Sequence, residues 1–78
     1  MGEERQIHFM QVRLVRLAAE KWGRTIPAAA RLMAENDVFR YIADCFGIFH
    51  VEGDRAVLED IEEYLKGRGV AYDHAVNG

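Results

Sequence analysis

The sequence predicts a mainly α-helical fold with a small β contribution: four helices around one core, and a short β-hairpin before the last helix. Apolar residues recur at helical spacing over most of the 78 residues. Glycine and asparagine interrupt this pattern where helices would end. One stretch, residues 48–58, instead has two β-prone runs around a Gly-Asp turn. We therefore expect one domain over residues 1–69 and a tail, docked or free, over residues 70–78.

The first predicted helix runs from Glu3 to Trp22 and ends at Gly23, because glycine readily takes the left-handed conformation that ends helices. At 100° per residue, its apolar side chains fall within one arc, which also contains Gln11 and Lys21. The residues of this arc are Ile7, Met10, Leu14, Val15, Leu17, Ala18 and Trp22. This arc is expected to face the core.

The second predicted helix covers about Ile26 to Glu35. Thr25 is expected to cap its first turn, and Pro27 fits in that turn because its missing N–H has no partner there. Asn36 is expected to end the helix in a left-handed conformation, and Asp37 to cap the helix that follows.

The third predicted helix covers about Val38 to Phe46, and Gly47 is expected to end it. In the hairpin that would follow, Phe49 and Val51 share one face. Residues 55–58 are also compatible with a helix, since apolar side chains there continue the spacing of the last helix. The sequence leaves these two possibilities open.

The last predicted helix begins at Glu59 or Asp60 and runs to about Lys66. Acidic residues at the start of a helix interact favourably with its dipole. We therefore expect the carboxylates of this segment, Glu62 and Glu63 included, to lie on a solvated face rather than to form an acid–base pair.

Composition argues against catalysis. The chain contains no serine, and Thr25 is its single threonine. Cys45 is the single cysteine, so neither an intrachain disulfide nor a cysteine-based zinc site can form. The three histidines lack the close spacing of metal-ligand pairs. We expect a non-enzymatic protein without a metal or cofactor. With no long apolar run and no signal-peptide pattern, we also expect a cytoplasmic protein that does not contact a membrane.

The charge distribution suggests a partner surface. Residues 1–31 carry six basic and three acidic side chains, whereas residues 32–78 carry four and ten. On the polar arc of the first helix, Phe9 stands among Arg5, Arg13 and Arg16. Aromatic residues and arginines are enriched at the energetic centres of protein interfaces. We expect these four residues to bind a second copy or another protein, unless the hairpin or the tail covers Phe9.

The alternative function is a small nucleic-acid-binding regulator that uses the arginine face of the first helix. Three helices followed by a hairpin suggest a winged helix, whose recognition helix should be basic. The third helix, however, offers Arg40 against two acids, Asp37 and Asp44. The hairpin tip at residues 52–55 is net negative, and such a tip repels phosphates. The sequence therefore disfavours nucleic acid as a partner.

Three motifs in order resemble a family of very small bacterial proteins catalogued as domain of unknown function 3791. They are the apolar helix Val38–Ile42, the Phe49-His50 pair with Gly53 three residues later, and the Asp60–Leu65 segment. The resemblance covers roughly residues 5–67. The chain departs from the family pattern at residues 51–52, where the family has two hydroxyl residues.

The resemblance carries no established activity. Members are often encoded beside a small protein that resembles ADP-ribosyltransferase-type toxins, which implies an antitoxin-like or accessory partner. His50 matches the family histidine and lies near Glu52 and Asp54 in sequence. It is a candidate polar site, or a proton donor of an enzyme whose cleft forms only in a dimer, because the ordinary pKa of a histidine side chain lies near neutrality. The alternative is that a hydrogen bond from His50 fixes the hairpin to the helices.

Overall fold

Five α-helices joined by short turns form the fold in the computed structural model, which describes residues 2–73. They are α1 (Gly2–Trp22), α2 (Ile26–Glu35), α3 (Val38–Asp44), α4 (Phe46–Glu52) and α5 (Asp54–Gly67). The described residues contain no strand, so the predicted β-hairpin over residues 48–58 and the expected number of four helices are wrong.

The first two helices agree with the sequence pattern. Helix α1 ends at Gly23 with a φ of 69°, and the Arg24 N–H donates to the Ala19 carbonyl at 3.0 Å. The Thr25 hydroxyl accepts a hydrogen bond from the Ala28 N–H at 3.2 Å. This is the predicted cap of α2.

The turn between α2 and α3 differs from the prediction at both Asn36 and Asp37. Asp37 takes the left-handed conformation (φ 61°), whereas Asn36 has a φ of −117° and donates from its side chain to the Leu32 carbonyl at 2.8 Å. The Asp37 side chain caps no helix and lies 3.6 Å from the Arg68 guanidinium. Aspartate tolerates the left-handed region better than most residues do, which explains how Asp37 can adopt it.

Residues 46–52 form a helix because helical spacing buries more apolar surface than strand alternation does. Phe46 and Phe49, three residues apart, both enter the core, while Val51 is exposed. Gly47 lies inside α4 rather than ending α3. The chain bends at Cys45 and again at Gly53, whose φ of 94° and ψ of 151° suit glycine almost alone. Local β propensity thus yields to packing.

Helix α5 begins at Asp54, five residues before the earlier of its two predicted starts. Its apolar side chains at helical spacing are buried: Val57, Leu58, Ile61 and Leu65. The helical alternative for residues 55–58 is therefore the correct one.

The core surrounds α1, which packs against α2, α3 and α5. Its fully buried side chains include Leu14, Trp22, Met33, Ile42 and Ile61. Glu62, expected on a solvated face, is instead buried and accepts hydrogen bonds from the Trp22 indole N–H (2.9 Å) and from the Lys21 ammonium (3.0 Å).

Part of the predicted tail lies against the domain. Val70 and Tyr72 pack against the core, and the Tyr72 ring lies 5.1 Å from the Trp22 ring between centroids. Arg24 donates from Nε to the Tyr72 carbonyl at 2.7 Å. Residues 74–78 of the predicted tail lie outside the described residues.

Candidate interaction surface

Phe9 lies on the outer face of α1, with 54% of its surface exposed. Since α4 replaces the hairpin that could have covered it, the ring borders solvent at a cleft of about 220 Å³. Phe46, Phe49 and His50 of α4 line the far side of this cleft. Phe9 is therefore a surface residue rather than part of the core.

The predicted arginine face divides into one paired and two unpaired cations. Arg13 donates from Nε and Nη2 to the Asp54 carboxylate at 2.9 and 3.4 Å. This hydrogen bond raises the pKa of Arg13 above its ordinary value. Arg5 and Arg16 are exposed and form no ion pair within residues 2–73.

His50 lines the same cleft as Phe9 and Arg13 but is held within its own helix. Its Nδ1 lies 3.0 Å from the Phe46 carbonyl, which fixes Nδ1 as the donor, and its ring stacks on Phe46 at 5.2 Å between centroids. The hydrogen bond that was expected to fix the hairpin to the helices is thus a bond inside α4.

An apolar groove on the other flank of α1 was not anticipated from the sequence. It has a volume of about 470 Å³ and lies between α1, α2 and α3. Its apolar walls are Val12, Val15, Ile26, Ala30 and Phe39. Its polar lining consists of His8, Gln11 and Arg16, without a carboxylate. We call this surface the apolar groove.

Two features of the sequence could have indicated the groove. Gln11 interrupts the apolar arc of α1. Its side chain donates to the Phe39 carbonyl at 2.9 Å and so links α1 to α3. Val12, on the polar arc, is 39% exposed, and Ile26, the first residue of α2, is 51% exposed. An apolar residue on the polar arc and a glutamine on the apolar arc of the same helix together indicate that a groove lies between those arcs.

A second apolar surface lies on α4. Ile48 is 64% exposed and Val51 is 73% exposed, and both lie on the face opposite Phe46 and Phe49. We call Ile48 and Val51 the α4 ridge. Two neighbouring exposed apolar side chains indicate a binding surface more strongly than a single exposed apolar side chain does.

The α4 ridge is followed by a pair of carboxyl groups. Partial desolvation raises the pKa of Glu52 above its ordinary value, and a hydrogen bond and like-charge repulsion from Asp60 act in the same direction. Burial raises the pKa of Tyr41, and the charges of Asp60 and Glu52 contribute to this rise. Glu52 and Asp60 thus place two carboxyl groups close together at the end of the α4 ridge.

Neither a metal-binding cluster nor a membrane-spanning helix is found within residues 2–73. These residues contain no group of three histidine, cysteine or acidic side chains that could hold a metal ion. None of the described helices is both long and apolar enough to cross a membrane. Cys45 is half-buried at the bend between α3 and α4.

Comparison with known proteins gives a family but no function. No curated protein and no solved structure matches the chain significantly. The family described as "Protein of unknown function (DUF3791)" matches residues 9–68, which is most of the 78-residue chain and close to the extent of the resemblance inferred from the motifs. The chain belongs to this family of unknown function.

Proposed function

We propose that the chain is a non-enzymatic protein–protein interaction module that binds through the outer face of α1 and the apolar groove beside it. The observation that carries the proposal is the continuous exposure of Phe9, Val12 and Ile26. Phe9 and Val12 are neighbours one turn apart on α1, and Val12 and Ile26 line the same groove. Patches of this kind on small proteins are typically binding sites.

The chemistry of the surface supports a protein rather than a small molecule as the occupant. A small ligand in the groove would leave Phe9 exposed, because that ring lies on the flank facing α4. A protein partner can cover both the groove and Phe9. Exposed aromatic and apolar side chains beside unpaired arginines match the composition of interface centres.

Affinity capture from the native host tests the proposal. Three baits are compared: the wild-type chain, Ile26→Asp, and the control Lys66→Ala on α5. We expect wild type and control to retain the same protein, either this chain or another, and Ile26→Asp to lose it while keeping its helical circular dichroism. Equal retention by all three baits would contradict the proposal.

Phe9→Ala gives a second test of the same surface. Because Phe9 is half-exposed, its truncation should change the free energy of unfolding by no more than about 1 kcal/mol, well below the cost of truncating a core aromatic. Retention of the captured protein should fall. A loss of about 3 kcal/mol or more in urea denaturation would instead make Phe9 a core residue.

A further inference from the structure

The apolar groove and helix α4 lie on opposite flanks of α1, and the α4 ridge is on the face of α4 opposite Phe46 and Phe49. His8, Val12 and Arg16 face the groove, whereas Gln6, Met10 and Arg13 face the cleft shared with α4. Each surface exposes apolar side chains that nothing within residues 2–73 covers. One copy can therefore present its α4 ridge while its groove remains open.

The two surfaces have matching lengths. The groove follows α1 from His8 to Arg16, which is about 12 Å at 1.5 Å per residue. Helix α4 has seven residues and spans about 10 Å. A groove of this length accommodates the two turns of α4 with Ile48 and Val51 as the apolar contacts.

The charges at the two surfaces are opposite. Arg16 borders the groove and forms no ion pair in the described part of the chain. Glu52 ends the α4 ridge beside Asp60, and neither carboxylate has a cationic partner in the same residues. Bringing ridge and groove together would place unpaired carboxylates near an unpaired guanidinium.

From this complementarity we infer that the α4 ridge of one copy docks in the apolar groove of a second copy, so that the chain associates head to tail. The inference rests on the proposed function and names the partner. Because the contact joins two different surfaces, each added copy leaves one groove and one ridge free, and the assembly grows beyond a dimer, as a filament or as a ring if the rotation between copies closes it. The small contact implies weak association, with a Kd on the order of 100 μM.

A symmetric dimer through two grooves is disfavoured by the same charges. It would bring together two grooves that each carry Arg16 and no carboxylate to neutralise it. Like charges in contact oppose association. It would also leave Ile48 and Val51 exposed.

Sedimentation equilibrium of the purified full-length chain tests the inference over protein concentrations of about 10 μM to about 1 mM, which bracket the expected Kd. The weight-average mass should rise from 8.9 kDa to beyond that of a dimer. Ile26→Asp in the groove and Ile48→Asp on the ridge should each remain monomeric. Both positions are exposed, so both variants should retain the wild-type circular dichroism.

The decisive step mixes the two variants in equal amounts. Ile48→Asp keeps an intact groove and Ile26→Asp keeps an intact ridge, so the mixture should form one heterodimer and grow no further. Arg16→Glu should weaken wild-type association about tenfold. Monomeric wild type at every concentration, a mass plateau at the dimer that Ile48→Asp retains, or a mixture that stays monomeric would each overturn the inference. Groove-dependent capture of a different protein would then still support the proposed function.

Discussion

Glu62 links α1 to α5 at the level of single atoms. Its two carboxylate oxygens accept one hydrogen bond each, from the Trp22 indole and the Lys21 ammonium. Because Trp22 is fully buried, the carboxylate is the group that satisfies its N–H. No buried side-chain nitrogen or oxygen among the described residues lacks a hydrogen-bond partner.

Glu62→Ala should therefore cost stability. The variant leaves the buried Trp22 N–H without an acceptor, and we expect a loss of about 1–3 kcal/mol in the free energy of unfolding, measured by urea denaturation. The control is Glu63→Ala, an exposed neighbour on α5, which should change stability by about 0.5 kcal/mol or less. Equal losses from both variants would show that the Glu62 contacts do not stabilise the fold.

Glu52 should make stability depend on pH. Its pKa is raised in the folded chain, so the folded state holds this proton more tightly than the unfolded state. Its contribution to stability is therefore complete below the ordinary carboxyl pKa and is lost as pH rises through the raised value. At pH 7, the like charges of Glu52 and Asp60 oppose folding.

Glu52→Gln cannot ionise and should have a higher Tm than wild type at pH 7. The difference should vanish at about pH 3, where Glu52 of the wild type is protonated. Thermal melts at low protein concentration measure this, with Glu35→Gln on α2 as the control. A Tm difference that is the same at both pH values would exclude the carboxyl pair as its cause.

At the scale of elements, α4 and α5 are separate helices because of Gly53. The backbone there has positive φ with extended ψ, a region nearly closed to residues with a Cβ. Gly47, by contrast, lies inside α4 with open space where a Cβ would stand. The two glycines thus have opposite structural roles.

Alanine substitution should separate these roles. Gly53→Ala should lower the free energy of unfolding by about 1–3 kcal/mol through backbone strain. Gly47→Ala should raise it by about 0.5–1 kcal/mol, because alanine favours helix over glycine. Urea denaturation of both variants measures the pair. Destabilisation by Gly47→Ala would contradict the helical assignment of residues 46–52.

Sequence reasoning succeeded where local signals and packing agree. Thr25 and Gly23 mark helix ends through capping and backbone freedom, and the buried arc of α1 follows from 3.6-residue spacing. It failed at residues 48–58, where β-prone residues and a Gly-Asp turn favour a hairpin locally. There the spacing of Phe46, Phe49 and Val57 buries side chains against other helices, and that contact is invisible in a local window.

At the scale of the whole molecule, the candidate surface was only partly predictable. The exposure of Phe9 follows from its place on the polar arc of α1. The groove beside it requires α1, α2 and α3 to pack together, and its lining residues are up to 31 positions apart, from His8 to Phe39. The pairing of Arg13 with Asp54 depends on the same kind of long-range packing. Such contacts cannot be read from spacing.

The distribution of charge over the molecule also predicts that the chain does not bind nucleic acid measurably. The winged-helix interpretation loses its hairpin, and Arg13 is already engaged by Asp54. Fluorescence anisotropy with mixed-sequence duplexes at low salt should show no binding up to about 100 μM protein. A salt-sensitive signal that disappears when Arg5 and Arg16 are both replaced by alanine would instead support the nucleic-acid alternative.

Photo-crosslinking in the native host tests the central claim, that the outer face of α1 contacts a protein, most directly. A photoreactive amino acid replaces Val12 at the groove or, as the control, Lys66 on α5, and the adducts are compared after irradiation. We expect a light-dependent protein adduct at position 12, with this chain or another, and none at position 66. No adduct at position 12, or equal adducts at both positions, would contradict it.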